Sequence, residues 1–173
     1  MSKLPDIKEL LSFFPEVEPP FTLTEESIQH FRQTNEDLPF DLVFHFIENW
    51  EGPDEDEMTE YFPCLKLPKQ EKYQCLIYYR TALLKYEYIA ATIDTQGNLI
   101  SRKVIAGTNY KDGFILRSAA RIDEDIIIHI VTGVMDPEME TDIDPEKSQL
   151  MTMEILPDGQ ILGFKDEETI PKQ

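Results

Sequence analysis

The sequence predicts an α+β fold. An N-terminal helical segment of about three short helices packs on a C-terminal antiparallel β meander of about eight strands, with the sheet bent or barrel-like. Three observations carry that expectation. Apolar residues recur at helical spacing before residue 60, then at alternate positions from Tyr61 onward. The stretches between the alternating runs are short, which favours hairpins over βαβ crossovers. The 173 residues suit a single domain that buries about two thirds of its unfolded surface, so no metal, cofactor or disulfide is needed to hold it. Within it fall a helical acidic segment (1–60), the meander (61–165) and a tail (166–173).

In the helical segment, Ile7, Leu10, Leu11 and Phe14 form one stripe, and Pro15 ends it. The run from Glu16 to Phe21 contains Pro19 and Pro20 and reads as extended connection. Thr24 suits the N-cap of a helix through Gln33, with Ile28 and Phe31 as its buried side. Phe40 to Trp50 carries two patterns. Leu42, Val43, Phe46, Ile47 and Trp50 make a helical face, whereas Phe40, Leu42, Phe44 and Phe46 alternate like a strand. The helix is preferred, with Asp37 as its cap and Pro39 early in it, because the first set spans about three turns. Glu51 to Glu60 then reads as an acidic, solvated loop.

The expected strands are Tyr61–Leu67, Tyr73–Thr81, Leu83–Ile93, Asn98–Ala106, Phe114–Ile122, Ile126–Thr132, Gln149–Leu156 and Gln160–Phe164. Turn chemistry sets registers. Asp158-Gly159 suits a two-residue type I′ turn that pairs Leu156 with Ile161 and Met153 with Phe164. Gln96-Gly97 would pair Ile93 with Ile100 and Ile89 with Val104. A three-residue loop Asp123-Glu124-Asp125 would set Ile122 against Ile126 and Ala119 against His129. Leu83–Ile93 changes its apolar face near Tyr88, where a bulge or bend is expected. If Lys69-Gln70 is a turn, Cys64 faces Cys75; the plainer reading is two reduced core thiols.

The net charge of −18 is unevenly placed. Residues 1–60 carry 16 acidic and 3 basic side chains, residues 61–122 carry 4 and 10, and residues 123–173 carry 14 and 3. Such a surplus opposes general binding to nucleic acid or to anionic membranes. No apolar run is long enough to span a bilayer or to serve as a signal peptide, and the expected location is cytoplasmic.

Few residues offer chemistry. The three histidines, His30, His45 and His129, show no metal-ligand spacing, and no nucleophile elbow or phosphate-binding glycine loop occurs. His129 interrupts an apolar strand on the same face as Arg117 and Arg121, a combination suited to an anionic ligand; a half-exposed strand residue is the plainer reading. The loop from Asp136 to Glu146 has carboxylates at alternate positions, but Pro137 and Pro145 break the calcium-loop template. Lys85, Arg102, Lys103, Arg117 and Arg121 are expected to project several from one face. The acidic N-terminal block is expected to dock there through Ile7, Leu10, Phe14 and Phe46, with charge setting orientation.

These features point to a non-enzymatic interaction protein whose acidic surface binds a basic protein partner, as an inhibitor or immunity protein does. The alternative is a small-ligand-binding or enzymatic barrel lined by Arg80, Tyr78, Tyr79, Tyr86 and Tyr88.

Overall fold

A computed structural model describes residues 4–53, 58–135 and 148–165. Helix α1 (Ile7–Ser12) starts where the Asp6 carboxylate accepts a hydrogen bond from the Lys8 N–H at 2.9 Å, satisfying one of the orphan donors of its first turn. The following chain is not all connection. Phe21–Leu23 forms strand β1, so the first sixty residues are not purely helical. Helix α2 begins later than expected, spanning Ser27–Thr34, because residues 24–26 form a turn in which Thr24 Oγ1 accepts from the Glu26 N–H.

The ambiguous segment is helical, as its longer apolar face requires. Phe40–Leu42, a π-helical turn Val43–Ile47 and Glu48–Glu51 run on as one helix, α3 (residues 40–51). Pro39, and not Asp37, occupies its N-cap position, without a side-chain cap.

The remaining strands are β2 (Glu60–Lys66), β3 (Gln74–Ala82), β4 (Lys85–Ile93), β5 (Leu99–Lys111), β6 (Phe114–Ile122), β7 (Ile127–Met135), β8 (Gln149–Ile155) and β9 (Ile161–Lys165). They pair antiparallel in sequence order from β2 to β9, and β1 adds to β6 through Phe21↔Ile122 and Leu23↔Ala120. The nine-stranded sheet is bent and does not close into a barrel.

The bend falls where β5 leaves β6. Only Gly107–Lys111 of β5 pairs with Phe114–Ser118, and β1 takes the place beside residues 120–122. The β4–β5 ladder slips between Tyr88 and Ile89, at the position expected from the change of apolar face. The extra residue is Ile105 of β5 and not one of β4, which is buried on both sides from Tyr88 onward. A Cβ at Gly107 would lie 2.1 Å from the Tyr86 carbonyl oxygen, so the strands approach there only because glycine has none.

Three hairpin registers differ from expectation for local reasons. Pro157 has no N–H to donate across a two-residue turn, so the loop takes three residues: Leu156 N–H donates to Gln160 O and Ile155 faces Ile161. Phe164 then lies opposite Thr152, not Met153, and is exposed. Asp94 pairs with Asn98 around Thr95-Gln96-Gly97, which sets Ile93 against Leu99; a ladder irregularity at Thr92/Ile93 restores Ile89↔Val104. Asp123 pairs with Ile127, the loop is Glu124-Asp125-Ile126, and Arg121 faces His129 while Ala119 faces Val131. A type I′ pair does occur, at Asp112-Gly113, where both φ angles are positive.

Two cores result, one on each side of β2–β4. On one side, Leu10 and Phe14 of α1 and Leu42, Phe46 and Ile47 of α3 pack on Leu76, Tyr78, Ile89 and Ala91. On the other, Cys75, Ile77, Tyr79, Tyr88 and Ala90 meet Ile122, Ile128, Met153, Ile155 and Ile161 from the β6–β9 half. Leu23 of β1 joins this second core, and Ile28 and Phe31 of α2 pack against it. The Cys64–Cys75 pairing fails. The β2–β3 register shifts between Pro63 and Leu65, and Cys75 accepts from Leu67, leaving two buried free thiols.

Candidate functional site

Arg80, Glu87 and Arg102 of the central strands meet the end of α3 in one largely buried cluster. Glu51, at the end of α3, is 4% exposed in its side chain. Its carboxylate accepts from Arg102 Nε at 2.5 Å and Nη2 at 2.6 Å, a bidentate pair, and from the Tyr78 hydroxyl at 2.5 Å. Arg80 lies 3.6 Å from the same carboxylate and donates to Glu87 at 3.2 Å on the neighbouring strand. Burial, and next the negative Glu51, push the Tyr78 phenol far above its ordinary range, so it stays a hydrogen-bond donor. Helix α3 is positioned over this cluster by Trp50, whose indole N–H donates to Gly97 O at 3.0 Å. Gly97 has a φ of +88°, which favours glycine, and a Cβ on it would sit 3.0 Å from side-chain atoms of both Ile7 and Phe46, so the β4–β5 turn lies close beneath α1 and α3.

The residues singled out by sequence do not assemble into one site. Arg121 and His129 are register partners on the outward face of β6 and β7, and Arg117 lies on that face opposite Gly133. His129 Nε2 contacts Asp123 Oδ2 at 2.8 Å, within its own hairpin. Arg117 lies 3.0 Å from Glu25 Oε2 at the start of α2. Arg80 and Tyr79 are on β3, on its opposite faces: Arg80 in the Glu51 cluster, Tyr79 edge-on to Tyr88 at 4.8 Å in the second core. Burial pushes the Tyr79 phenol up to about 12. Of the basic residues expected to project several from one face, Arg117 and Arg121 share a face of β6, whereas alternation puts Arg102 and Lys103 on opposite sides of β5, against Ala91 and Ala90.

The tyrosines proposed as barrel lining are core residues or lie elsewhere: Tyr78 and Tyr88 are fully buried on opposite sides of the sheet, and Tyr86 meets Tyr110 at the surface. One concavity is a half-open cleft of about 230 Å³ between residues 104–109 of β5 and Leu116, Ser118, Ile130, Thr132, Met151 and Met153 of β6–β8. The Ser118 and Thr132 hydroxyls hydrogen-bond to each other within it at 2.7 Å. Burial pushes the Cys75 thiol up to about 12 and holds Cys64 well above its usual range, so both disfavour the reactive thiolate.

Glu51 is the residue that sequence reasoning missed, having been placed in a solvated loop. The helical spacing that carries α3 to Trp50 was the available signal, since one further residue brings Glu51 against β3 and β5. The Asp136–Glu146 loop lies outside the described residues. Among the described residues, no group of three or more His, Cys, Asp or Glu side chains is placed to hold a metal ion, and no helix is long and apolar enough to cross a membrane. Compared with known proteins, the chain matches no family model, no curated protein and no solved structure.

Proposed function

We propose that the protein is a non-enzymatic interaction protein that binds a basic partner through its acidic surface, in the manner of an inhibitor or immunity protein. One observation carries this reading. Three of the four arginines in residues 61–122 are engaged within the chain, Arg80 by Glu51 and Glu87, Arg102 by Glu51, and Arg117 by Glu25, whereas Arg121 is exposed on β6. Lys66 likewise donates to Leu11 O at 3.1 Å, near the end of α1. The whole chain carries a surplus of −18, and among the described residues Glu16, Glu18, Glu36, Asp37 and Asp41 lie exposed. A surface of one sign accelerates encounter with the opposite sign and repels like-charged partners.

The test is capture from native lysate at low salt, followed by association kinetics of the captured partner as salt is raised. A fall in association rate of about tenfold or more is expected, as for steered encounters. A rate that barely moves with salt refutes the reading. The cleft between β5 and β6–β8 favours the second reading, binding of a small and mostly apolar ligand, since Val104, Leu116, Ile130, Met151 and Met153 dominate its walls. Substituting Ser118→Leu to fill the cleft without altering binding of any candidate ligand would remove that reading.

A further inference from the structure

Helix α3 carries two phenylalanines that its own packing leaves out. Leu42, Phe46 and Ile47 enter the core, whereas Phe40 and Phe44 are 78% and 61% exposed. Their rings stack on each other with centroids 6.0 Å apart. The spacing explains both outcomes. Positions 40 and 44 stand one above the other on the helix surface, and the π-helical turn Val43–Ile47 lets the adjacent residues Phe46 and Ile47 both reach inward. Such π turns occur frequently at functional sites. Single exposed apolar residues are ordinary, but a stacked aromatic pair is a patch.

The surroundings of that patch are acidic. Asp41, next in the chain to Phe40, and Glu36 and Asp37, just ahead of α3, are exposed, and residues 33–60 contain no lysine or arginine, although Asp37 lines a separate small depression with Arg32. Phe44 and Glu48 share an open depression of about 320 Å³ with Asn49, Gly52 and Pro53. A cation entering it meets an aromatic ring on one side and a carboxylate on the other, the two groups that attract it most.

We propose that the Phe40–Phe44 side of α3 docks a cationic segment of a partner protein. An apolar side chain of the partner lies on the stacked rings, and a lysine or arginine enters the depression between Phe44 and Glu48. The proposal rests on the reading that the acidic surface binds a basic partner, and adds where and by which contacts. A second copy of this chain is the poorer occupant, since it would bring Glu36, Asp37, Asp41 and Glu48 against a surface of the same sign.

The experiment uses the full chain and a synthetic amphipathic peptide bearing lysines, arginines and one tryptophan, with binding followed by calorimetry at low and high salt. The double substitution Phe40→Ser with Phe44→Ser is expected to weaken binding about tenfold or more, as loss of a central aromatic anchor does. Glu48→Gln is expected to weaken it several-fold. Glu16→Gln with Glu18→Gln, which removes more charge at a distance, is expected to leave it within about twofold. Unchanged thermal midpoints verify that the surface variants fold. Salt-sensitive binding that ignores the double substitution overturns this site while leaving the acidic-surface reading in place; absence of salt-sensitive binding overturns both. Concentration-dependent self-association abolished by the double substitution would assign the face to a second copy and overturn the proposal.

Discussion

The Glu51 carboxylate accepts hydrogen bonds from two nitrogens of Arg102 and from the Tyr78 hydroxyl, with Arg80 within ion-pair distance. Removing its charge takes from Arg102 the ion pair described above and leaves Arg80 with Glu87 alone, in a partly dry site. Glu51→Gln is therefore expected to destabilise the fold by about 2–3 kcal/mol, below the range for wholly buried pairs because Arg102 retains some solvent contact. A shift in the urea midpoint at constant slope checks it. A loss under about 0.5 kcal/mol would mean that water already screens the cluster. The local helical spacing carries α3 as far as Glu51 but does not announce its partners. Arg102 stands 51 positions further on, and only the fold brings them together. His129 shows the reverse: conspicuous in sequence as a polar break in an isoleucine run, its ring hydrogen-bonds Asp123 of its own hairpin.

Among the elements, alternation made the strands legible from Glu60 to Lys165, and Phe114–Ile122 has the expected ends. The errors cluster where glycine or proline carries two meanings. Gly107 read as the end of β5, yet the strand runs on to Lys111, because the glycine serves a close approach to β4 and not a turn. Pro19-Pro20 read as connection and concealed β1 immediately after it. Two of the three-residue turns share one device: Asp94 and Asp123 each use a carboxylate oxygen to accept from two N–H groups of their own loop. The Asn98 N–H foremost holds Asp94 below the usual carboxylate range, and His129 foremost does so for Asp123. Groups with depressed folded values contribute stability above their unfolded pKa and lose it as pH falls through the folded one. Replacing both with Asn is accordingly expected to reduce stability at pH 7 and to flatten the acid limb below about pH 4, measured as thermal midpoint against pH. An unchanged acid limb would refute the role of these turns.

For the whole molecule, the meander is local and the closures are not. Consecutive hairpins from β2 to β9 join near neighbours in the chain, whereas β1 must find β6 and α3 must find β3 and β5. The α+β class was legible because it follows from two periodicities. The open, bent sheet was not, because the strand patterns of barrel and open sheet are alike and only the β1 insertion beside β6 separates them. Leu23 is the keystone of that insertion, fully buried between Ala120 and the second core. Leu23→Ala is expected to cost about 3 kcal/mol, within the usual span for a core leucine. Hydrogen exchange should show lost protection along residues 120–122; losses confined to β1 would show that β6 holds without it.

The β1–β6 ladder also orders events during synthesis. A chain made from the N-terminus releases Phe21–Leu23 well before Phe114–Ile122 exists, so the nascent segment waits with its backbone donors and apolar side chains unmatched. The β2–β3–β4 hairpins, needing only near neighbours, are free to form meanwhile and to receive α1 and α3. Residues 21–23 are thus among the last to be locked in place, and the emerging polypeptide depends on their staying uncommitted until β6 arrives.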